Sequence, residues 1–427
     1  MRIAFFVAEY YPQIIGGLGT YATEVTRQYV ELGHDVVIFT FNQNRQLITD
    51  EVWKGIRVHR PQITDLSSVF PLFVSEDLQK WGKNLQYFCD IFSYNHISAT
   101  KFVNELIHKE QEKFDVVAVH DWLSAPAGLI IKKELPRTPI VYHVHSTEQQ
   151  RAQGEGSEVI RSFELRMAEA ADRVITVSNA MKDYITSLGY PHEKLCAIWN
   201  GVDPDKYSSN AVNIEEIEAL RKFYGIQPDE KVLLFVGRLT LIKGVPNLIQ
   251  AMPLVLSMFP KTHLVLLGVG EEYSEFARMA TGLGIAENIT FRTEFVSEHE
   301  KMVHYALSDV CVFPSITEPF GIVSLEAMAM GKPVVVGARG VNGFREQVIP
   351  SGPSRTGVHV NAEDPKDIAW GLCEALVNPH EAQKWGENGA RRVRRYFTWK
   401  TVAENTVRIY KEVIENACQG SEKITHD

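Results

Sequence analysis

The sequence predicts an α/β protein with two domains, each built around a parallel sheet. Three observations support this fold class. The chain has 427 residues, which is more than one hydrophobic core usually organises. Short runs rich in Val, Ile and Phe alternate with longer helical patterns, as is typical of βαβ units. Each half also opens alike, with a buried strand, a glycine-containing loop and an amphipathic helix.

Strands are predicted where a short apolar run is bounded by polar or turn residues. In the first half these runs are RIAFFVA, DVVIFT, IRVHR, DVVAVH, IVYHVH, RVITVS and CAIW. In the second half they are KVLLFVG, HLVLLG, NITF, DVCVFP, PVVVG and GVHV. Between the halves the turn-rich NGVDPDKYSSN predicts a linker. We therefore expect domains at 1–205 and 206–398, both Rossmann-like, whose carboxyl sheet edges line one deep cleft.

Composition excludes several classes of protein. A net charge of −9 argues against a general nucleic-acid or membrane-surface binder. The five cysteines lie far apart without a CxxC pair, which favours buried thiols in a reducing compartment. The N-terminus enters a strand directly, and no apolar run approaches the ~20 residues that cross a bilayer. We expect a cytoplasmic protein without stable membrane insertion and without a nucleic-acid partner; its oligomeric state stays open.

The first glycine loop, IIGGLGTY, separates a strand from a helix. Backbone N–H groups at such a junction can hold a phosphate, and Gly17 and Gly19 permit close approach. The same glycines also suit a simple tight turn. A dinucleotide site is excluded because the spacing is GGxG and the second strand ends at Phe39-Thr40 without an acidic residue. A Walker loop is absent from the sequence.

The second glycine loop, GRLTLIKG, places Arg238 at a strand end and Lys243 just before a glycine that opens a helix. A planar guanidinium fork and a compact ammonium together suit a diphosphate. Taken alone, the pair is equally compatible with two solvated side chains on a loop.

The stretch SITEPFGIVSLEAM holds two glutamates around a turn. The preceding strand ends at DVCVFPS, so Glu318 lies on the loop at the carboxyl edge of the sheet, and Glu326 lies within the following helix. Free N–H groups at Phe320 and Gly321 would point to the same place. A carboxylate with free amides can hold sugar hydroxyls, and a second carboxylate can take the two hydroxyls of a ribose.

Three segments invite a metal interpretation, and each is rejected. His143 and His145 share a strand face but have no second ligand pair of suitable spacing. HEKMVH carries one residue more than the zinc motif HExxH, which moves its histidines off one helix face. DPD, at 203–205, fits a turn and helix cap. We expect no required metal and no cofactor.

Several ordered motifs together resemble one family. The segment EPFGIVSLE is similar to the EX7E segment of retaining GT-B glycosyltransferases of family 4. GGLG, HDW, HVHS, TVS, NGVD, GRLTLIKG and the late FTW occur in the order typical of that family and span nearly the whole chain. The resemblance implies the GT-B fold, a retaining hexosyltransferase activity (EC 2.4.1 type) and a nucleotide-sugar donor.

For the donor nucleotide, the resemblance implies that Arg238 and Lys243 hold the diphosphate and act in catalysis. It also implies that Glu326 holds the ribose, and that Gly17 and Gly19 approach the phosphate.

For the donor sugar, the resemblance implies that Glu318 holds it together with the amides of Phe320 and Gly321. His145 would lie beside the anomeric carbon and the 6-hydroxyl. From the residues alone, His145 at a strand end is also compatible with a structural histidine.

On the acceptor side the resemblance implies His120 and Asp121, and it implies a last helix, 399–427, that packs back on the N-terminal domain. HSTEQQR and GFREQVIPSG resemble archaeal and bacterial glycogen-synthase-like proteins most. Many family members have GGxxEVV at the second of these places, whereas this chain has Asn342 for the first Gly and Gln347 for the first Val.

These features predict transfer of glucose from ADP- or UDP-glucose to the 4-hydroxyl of an α-glucan, as in glycogen biosynthesis. One alternative is a family 4 transferase for a small sugar, a trehalose-type or a lipid-linked acceptor. Another is a nucleotide-sugar-binding protein without turnover, and a nucleotide-sugar epimerase is a further one. The sequence does not distinguish the donor nucleobase.

Overall fold

The computed structural model describes residues 1–43, 45–66, 69, 84–152, 154 and 156–424. These residues form two compact units. One consists of Met1–Ile198 with the C-terminal helix Trp399–Ile424, and the other is Trp199–Thr398. Within this part of the chain, no helix is both long enough and apolar enough to cross a bilayer.

The first unit is built on an eight-stranded sheet. Its strands are β1 (Arg2–Val7), β2 (Asp35–Thr40), β3 (Asp50–Trp53), β4 (Ile56–His59), β5 (Val116–His120), β6 (Ile140–Val144), β7 (Arg173–Thr176) and β8 (Leu195–Ala197). They lie in the order β3-β4-β2-β1-β5-β6-β7-β8, and every neighbouring pair is parallel except β3 with β4. The central strands are buried along almost their whole length, which explains why they appear as continuous apolar runs.

Helices connect these strands. They are α1 (Gly17–Glu31), α2 (Asn84–Thr100), which continues as a π-helix (Lys101–Lys109), α3 (Asp121–Glu134), α4 (Glu148–Arg151), α5 (Glu158–Ala170) and α6 (Asn179–Ser187). The strand order reverses between β1 and β5, so the loop after β1 and the start of α3 after β5 flank this switch point. In open α/β sheets, ligands bind outside the carboxyl ends of the strands at such a point.

The second unit has a six-stranded, fully parallel sheet. Its strands are β9 (Lys231–Val236), β10 (Thr262–Leu267), β11 (Ile289–Arg292), β12 (Val310–Phe313), β13 (Val334–Gly337) and β14 (Gly357–Val360). The order β11-β10-β9-β12-β13-β14 is that of a doubly wound Rossmann sheet. The switch point lies between β9 and β12, and the loops after these two strands carry the predicted diphosphate and sugar residues.

Eight α-helices of the second unit fall in the described residues. They are α7 (Ile214–Phe223), α8 (Val245–Met258), α9 (Tyr273–Gly282), α10 (Glu298–Leu307), α11 (Ile322–Ala329), α12 (Phe344–Gln347), α13 (Pro365–Val377) and α14 (Pro379–Tyr396). Apolar residues of α8, β10 and α13, such as Leu248, Leu264 and Leu372, share one core that holds the sheet and its loops in place.

The C-terminal helix α15 (Trp399–Ile424) belongs to the first unit, where it packs against α1. Its Tyr410 is fully buried, and the hydroxyl lies 2.9 Å from Nε2 of His143 on β6. The last helix thus supports the sheet edge that carries the predicted histidines.

The two-domain α/β architecture with parallel sheets is confirmed, and every predicted strand is present. The sequence missed β3, a short antiparallel edge strand. The division between the units follows Ile198, whereas the sequence places it after Asp205. Residues 199–205 lie with the second unit because the Val202 N–H donates to the Phe397 carbonyl at 2.9 Å, a long-range contact that no local pattern reveals.

Candidate active site

The loop after β9 carries Arg238 and Lys243. Arg238 is exposed, and its guanidinium has no ion-pair partner among the residues that the structure describes. Lys243 ends the 3₁₀ turn Leu241–Lys243, and Gly244 follows with φ +72°. A Cβ on Gly244 would lie 1.9 Å from the Pro314 carbonyl oxygen, so glycine is needed where this loop meets the loop after β12.

Glu318, on the loop after β12, forms an ion pair with Lys243. The Lys243 Nζ lies 2.5 Å from the Glu318 Oε2, and the two side chains are 20% and 10% exposed. The Ser315 hydroxyl donates to the same carboxylate oxygen at 3.3 Å. The sequence assigned the lysine and the glutamate to different parts of a donor. The structure brings them together and leaves Arg238 as the unpaired cation of this loop.

The turn that follows Glu318 leads into α11. Phe320 is buried, and Gly321 has φ +87°; a Cβ there would lie 2.1 Å from the Phe344 ring. The N–H groups of Phe320 and Gly321 make no hydrogen bond to the described residues. Two unused donors therefore lie beside the Glu318 carboxylate. That they bind a sugar hydroxyl remains a prediction.

Glu326 is buried in α11 and is held by three donors. Its Oε1 accepts from the Tyr207 hydroxyl and the Lys301 ammonium, both at 3.0 Å, and its Oε2 accepts from the Tyr305 hydroxyl at 2.8 Å. Although burial lowers the pKa of Lys301, the carboxylates of Glu326 and Glu298 raise it above its usual value. A carboxylate has about four lone-pair sites, so Glu326 retains capacity for a ligand hydroxyl.

The supporting residues of Glu326 were missed by the sequence reasoning. Lys301 lies inside HEKMVH, the segment rejected as a zinc motif. Its two histidines bind different partners, since His299 pairs with Glu216 and His304 with the Tyr224 hydroxyl, both at 2.7 Å. The charged residue of this segment that reaches the site is therefore the lysine, whose side chain is only 18% exposed.

The DPD segment has a local role. The Asp203 carboxylate accepts from the N–H groups of Asp205 and Lys206 at 2.9 and 3.1 Å. Asp205 forms an exposed ion pair with Arg394. This arrangement is the predicted turn, but no helix begins at these residues, so the predicted helix cap is absent.

In the first unit, the glycine loop surrounds a carboxylate of the protein. Glu9 lies just after β1 and accepts from the N–H groups of Ile15 and Gly16 at 3.3 and 3.1 Å. Burial raises the pKa of Glu9 even though these amides favour its ionised form. Gly17 is exposed and Gly19 is buried, where a Cβ would lie 3.1 Å from the Glu9 carboxylate. Sequence reasoning missed Glu9, and the contact of Gly17 and Gly19 with a phosphate remains a prediction.

Asp121, the first residue of α3, holds the loop that carries His145. Its Oδ1 accepts from the N–H groups of His145 and Ser146 at 2.7 and 3.3 Å. The residue is buried with φ +52°, and burial raises the pKa of its carboxyl to about 6. Asp121, predicted for the acceptor side, thus positions His145 directly.

The rings of His120, His143 and His145 stack at the carboxyl ends of β5 and β6. The centroid of the His120 ring lies 4.4 Å from that of His143 and 5.7 Å from that of His145, with planes 19° and 26° apart. Their ring nitrogens come within 4.8 Å of one another, so the structure adds His120 to the histidine pair considered from the sequence. Nearly parallel rings direct their in-plane lone pairs side by side, which does not suit tetrahedral coordination. The absence of a required metal remains a prediction.

Burial keeps these three rings uncharged. It lowers the pKa of His145 to about 3, and it lowers the pKa values of His120 and His143 well below the usual range. The His120 Nδ1 lies 3.0 Å from the Phe6 carbonyl oxygen and donates to it, which leaves its Nε2 as an acceptor. The Nε2 atoms of His120 and His145 are buried without a described partner. These imidazoles therefore add no charge to this part of the unit.

The two sets of groups suit different chemistry. The second unit offers an unpaired cation, an ion pair, free amides and a hydrogen-bonded buried carboxylate. These groups suit a phosphate with attached polyols. The first unit offers neutral imidazoles and a positioned carboxylate, which suit sugar hydroxyls.

Two family models match consecutive parts of the chain. Residues 15–206 match the family model described as Glycosyltransferase Family 4, and residues 216–392 match the model described as Glycosyl transferases group 1. An uncharacterized glycosyltransferase of Methanocaldococcus jannaschii is 32% identical, with 97% of this chain and 99% of that protein covered. A glycogen synthase of Mycobacterium tuberculosis is 29% identical, with 96% and 94% covered. Sucrose-phosphate synthase from Thermosynechococcus elongatus superposes with a TM-score of 0.76 at 22% identity, over 97% of this chain and 99% of that structure.

Proposed function

Since this chain belongs to the family 4 glycosyltransferases of the GT-B fold, we propose that it is a retaining hexosyltransferase that uses ADP- or UDP-glucose. The acceptor is the 4-hydroxyl of an α-glucan. The similarity to a glycogen synthase along nearly the whole chain supports this acceptor.

One observation carries the donor assignment. The loops after β9 and β12 meet at the switch point of the second sheet, where Arg238 is unpaired and Lys243 contacts Glu318. A diphosphate at this edge would meet both cations, while the attached sugar would face Glu318 and the amides of Phe320 and Gly321. The buried carboxylate of Glu326 would take the ribose.

In the proposed reaction, the bond between the sugar C1 and the diphosphate oxygen breaks while a bond forms between C1 and the acceptor oxygen. Negative charge grows on the diphosphate, and the cations Arg238 and Lys243 stabilise it. The acceptor approaches the same face of the sugar that the diphosphate leaves, and its proton passes to a diphosphate oxygen. This route retains the anomeric configuration without a carboxylate nucleophile.

The first unit would orient the sugar and the acceptor. A neutral His145 can hydrogen-bond the 6-hydroxyl of the donor sugar, and Asp121 keeps it in place through its backbone. His120 contributes an uncharged acceptor nitrogen. We further propose that the reaction requires no divalent metal, because two protein cations face the leaving diphosphate.

The test is incubation with glycogen and radiolabelled ADP-glucose or UDP-glucose, followed by measurement of polymer label and nucleotide release. Label in the polymer that α-amylase solubilises supports an α-1,4-glucan product, and NMR of a short oligosaccharide product reports the anomer. Chelator in a parallel reaction should leave the rate unchanged.

An Arg238→Ala variant should lose about 10²–10³ in kcat, as when one preorganised donor to a developing negative charge is removed. Arg278→Ala, an exposed arginine on α9 of the same unit, is the matched control and should retain full activity. Absence of label with either donor overturns the glucan acceptor. Nucleotide release stimulated by a small sugar or lipid acceptor instead would assign the alternative transferase, and binding without turnover would assign a non-catalytic protein.

A further inference from the structure

The segment Val341–Gln347 runs beside the turn that holds Glu318. The Glu318 N–H donates to the Val341 carbonyl at 3.0 Å, and the Gly343 N–H donates to the Glu318 carbonyl at 2.8 Å. A Cβ on Gly343 would lie 2.6 Å from the Pro319 carbonyl oxygen, so the two backbones are in close contact.

Asn342 fastens the start of this turn. It is fully buried; its Nδ2 donates to the Ser315 carbonyl at 2.8 Å, and its Oδ1 accepts from the Phe344 N–H at 3.3 Å. A glycine, which many family members have here, could make neither bond.

Gln347 fastens the end of the turn. It is fully buried, and its Nε2 donates to the carbonyls of Phe320 and Gly321 at 2.7 and 3.3 Å. Its Oε1 accepts from the Ser324 hydroxyl, and its own carbonyl accepts from the Arg392 Nε at 2.8 Å. Every polar atom of this side chain is therefore used at the turn, and a valine could supply none of these contacts.

The hydrogen bonds to these carbonyls also determine which way the neighbouring N–H groups point, because each peptide group is planar and trans. The carbonyl of one residue and the N–H of the next point to opposite sides of the same peptide plane. Because Gln347 binds the carbonyls of Phe320 and Gly321, the N–H groups of Gly321 and Ile322 point away from it. Neither N–H donates to any described residue.

We propose that Gln347, assisted by Asn342, is a positioning residue that sets the direction of the Gly321 and Ile322 amides toward the donor sugar. This inference rests on the proposed function. It also interprets the two departures from the family pattern as one linked feature, since both side chains hold the same turn from either end. Gln347 itself does not touch the substrate.

The test compares two ligands on the same variant. Nucleoside diphosphate alone reports the sites for the diphosphate and ribose, whereas the nucleotide-sugar also reports the turn. In Gln347→Met, a change of similar length without hydrogen-bonding groups, calorimetry should show nucleoside diphosphate affinity close to that of wild type. Nucleotide-sugar affinity should fall about tenfold, the scale of one lost hydrogen bond in a buried site.

Asn388→Leu is the matched control, because the Asn388 Nδ2 also joins two carbonyls, those of Pro353 and Arg355, away from the site. It should leave the affinities for both ligands unchanged. If Gln347→Met does not fold, Gln347→Glu serves in its place, since it keeps the length and the acceptor for Ser324 but loses the donors.

Equal affinity loss for both ligands, or none for the nucleotide-sugar, in a folded variant overturns the positioning role. A wild-type protein that binds neither ligand removes the proposed function itself. That result is distinct, because it appears before any substitution is made.

Discussion

The Lys243 ammonium lies 2.5 Å from the Glu318 carboxylate. The side chain predicted to bind phosphate is therefore paired with the side chain predicted to bind the sugar. The pair is largely shielded from water, which strengthens its mutual attraction relative to an exposed pair. A diphosphate that approaches Lys243 therefore competes with Glu318 for the same ammonium.

This competition predicts opposite effects of Glu318→Gln on binding and on transfer. With the charge removed, Lys243 becomes available, and nucleoside diphosphate should bind several-fold more tightly, for a gain of about 1 kcal/mol. The rate of glucosyl transfer should fall because the donor sugar loses its contact with the Glu318 carboxylate. Calorimetry and initial rates measure the two effects. Glu374→Gln, which breaks the Arg355–Glu374 ion pair of the same unit, should change neither, and weaker diphosphate binding in Glu318→Gln would contradict the competition.

We expect the ion pair between the half-buried Lys301 and the buried Glu326 to contribute strongly to stability. Lys301→Met leaves the Glu326 carboxylate buried without its cation and should cost about 3 kcal/mol. Lys301→Met with Glu326→Gln should recover much of that loss, because the remaining side chain is neutral. Lys384→Met removes an exposed ion pair with Glu381 and should cost less than about 0.5 kcal/mol. Urea unfolding measures all three, and a double variant no more stable than Lys301→Met would contradict the charge explanation.

We expect an isosteric and a truncating substitution of Asp121 to differ in stability and in activity. Asp121→Asn keeps an oxygen for the His145 and Ser146 amides and tolerates φ +52°, so stability and most of the activity should remain. Asp121→Ala leaves two amides without an acceptor and should cost about 2 kcal/mol. Its kcat should also fall, because the His145 backbone is no longer held in place. Thermal unfolding and initial rates test this, and equal activity in the two variants would contradict a positioning role.

We expect a steric clash to destabilise Gly321→Ala, and Gly331→Ala provides the comparison without a clash. Gly321→Ala puts a Cβ 2.1 Å from the Phe344 ring at φ +87°, whereas Gly331→Ala at φ +72° meets no atom within 4 Å. Gly331→Ala should cost only the left-handed strain of about 1 kcal/mol. Gly321→Ala should cost more and should abolish nucleotide-sugar binding, because the turn must move. Similar unfolding free energies for both variants would show that the turn yields easily.

The neutral histidine stack predicts acid sensitivity. Burial holds the pKa of His143 well below its usual value, so the unfolded chain binds more protons than the folded chain below the ordinary histidine pKa. Stability is therefore lost as the pH falls through that range. Asp121 acts in the opposite sense, because burial raises its pKa to about 6 and the folded form takes up a proton there.

A difference measurement isolates the histidine. Between about pH 6 and pH 5, the free energy of unfolding of wild type should fall by about 1 kcal/mol relative to that of His143→Phe. Urea unfolding at each pH gives both values, and a constant difference would show that His143 does not stay neutral.

The sequence by itself determined the two parallel sheets and the loops that carry the site. Apolar runs between turn residues identify strands because both faces of a parallel sheet must be buried, and the residue after each strand then lies at the carboxyl edge. Arg238, Glu318 and His145 could therefore be placed from their motifs alone, and so could the pattern shared by the two halves.

Only the tertiary structure decided how those residues are supported. Glu9 accepts a hydrogen bond from the glycine loop, and Lys301 contacts Glu326 from another helix. Gln347 donates hydrogen bonds to the turn after Glu318. None of these pairs lies within a single helix or strand, so the periodicity of one element contains no signal for the contact. Burial makes these contacts obligatory, because a polar group removed from water must find its partner inside the protein, wherever the fold brings one.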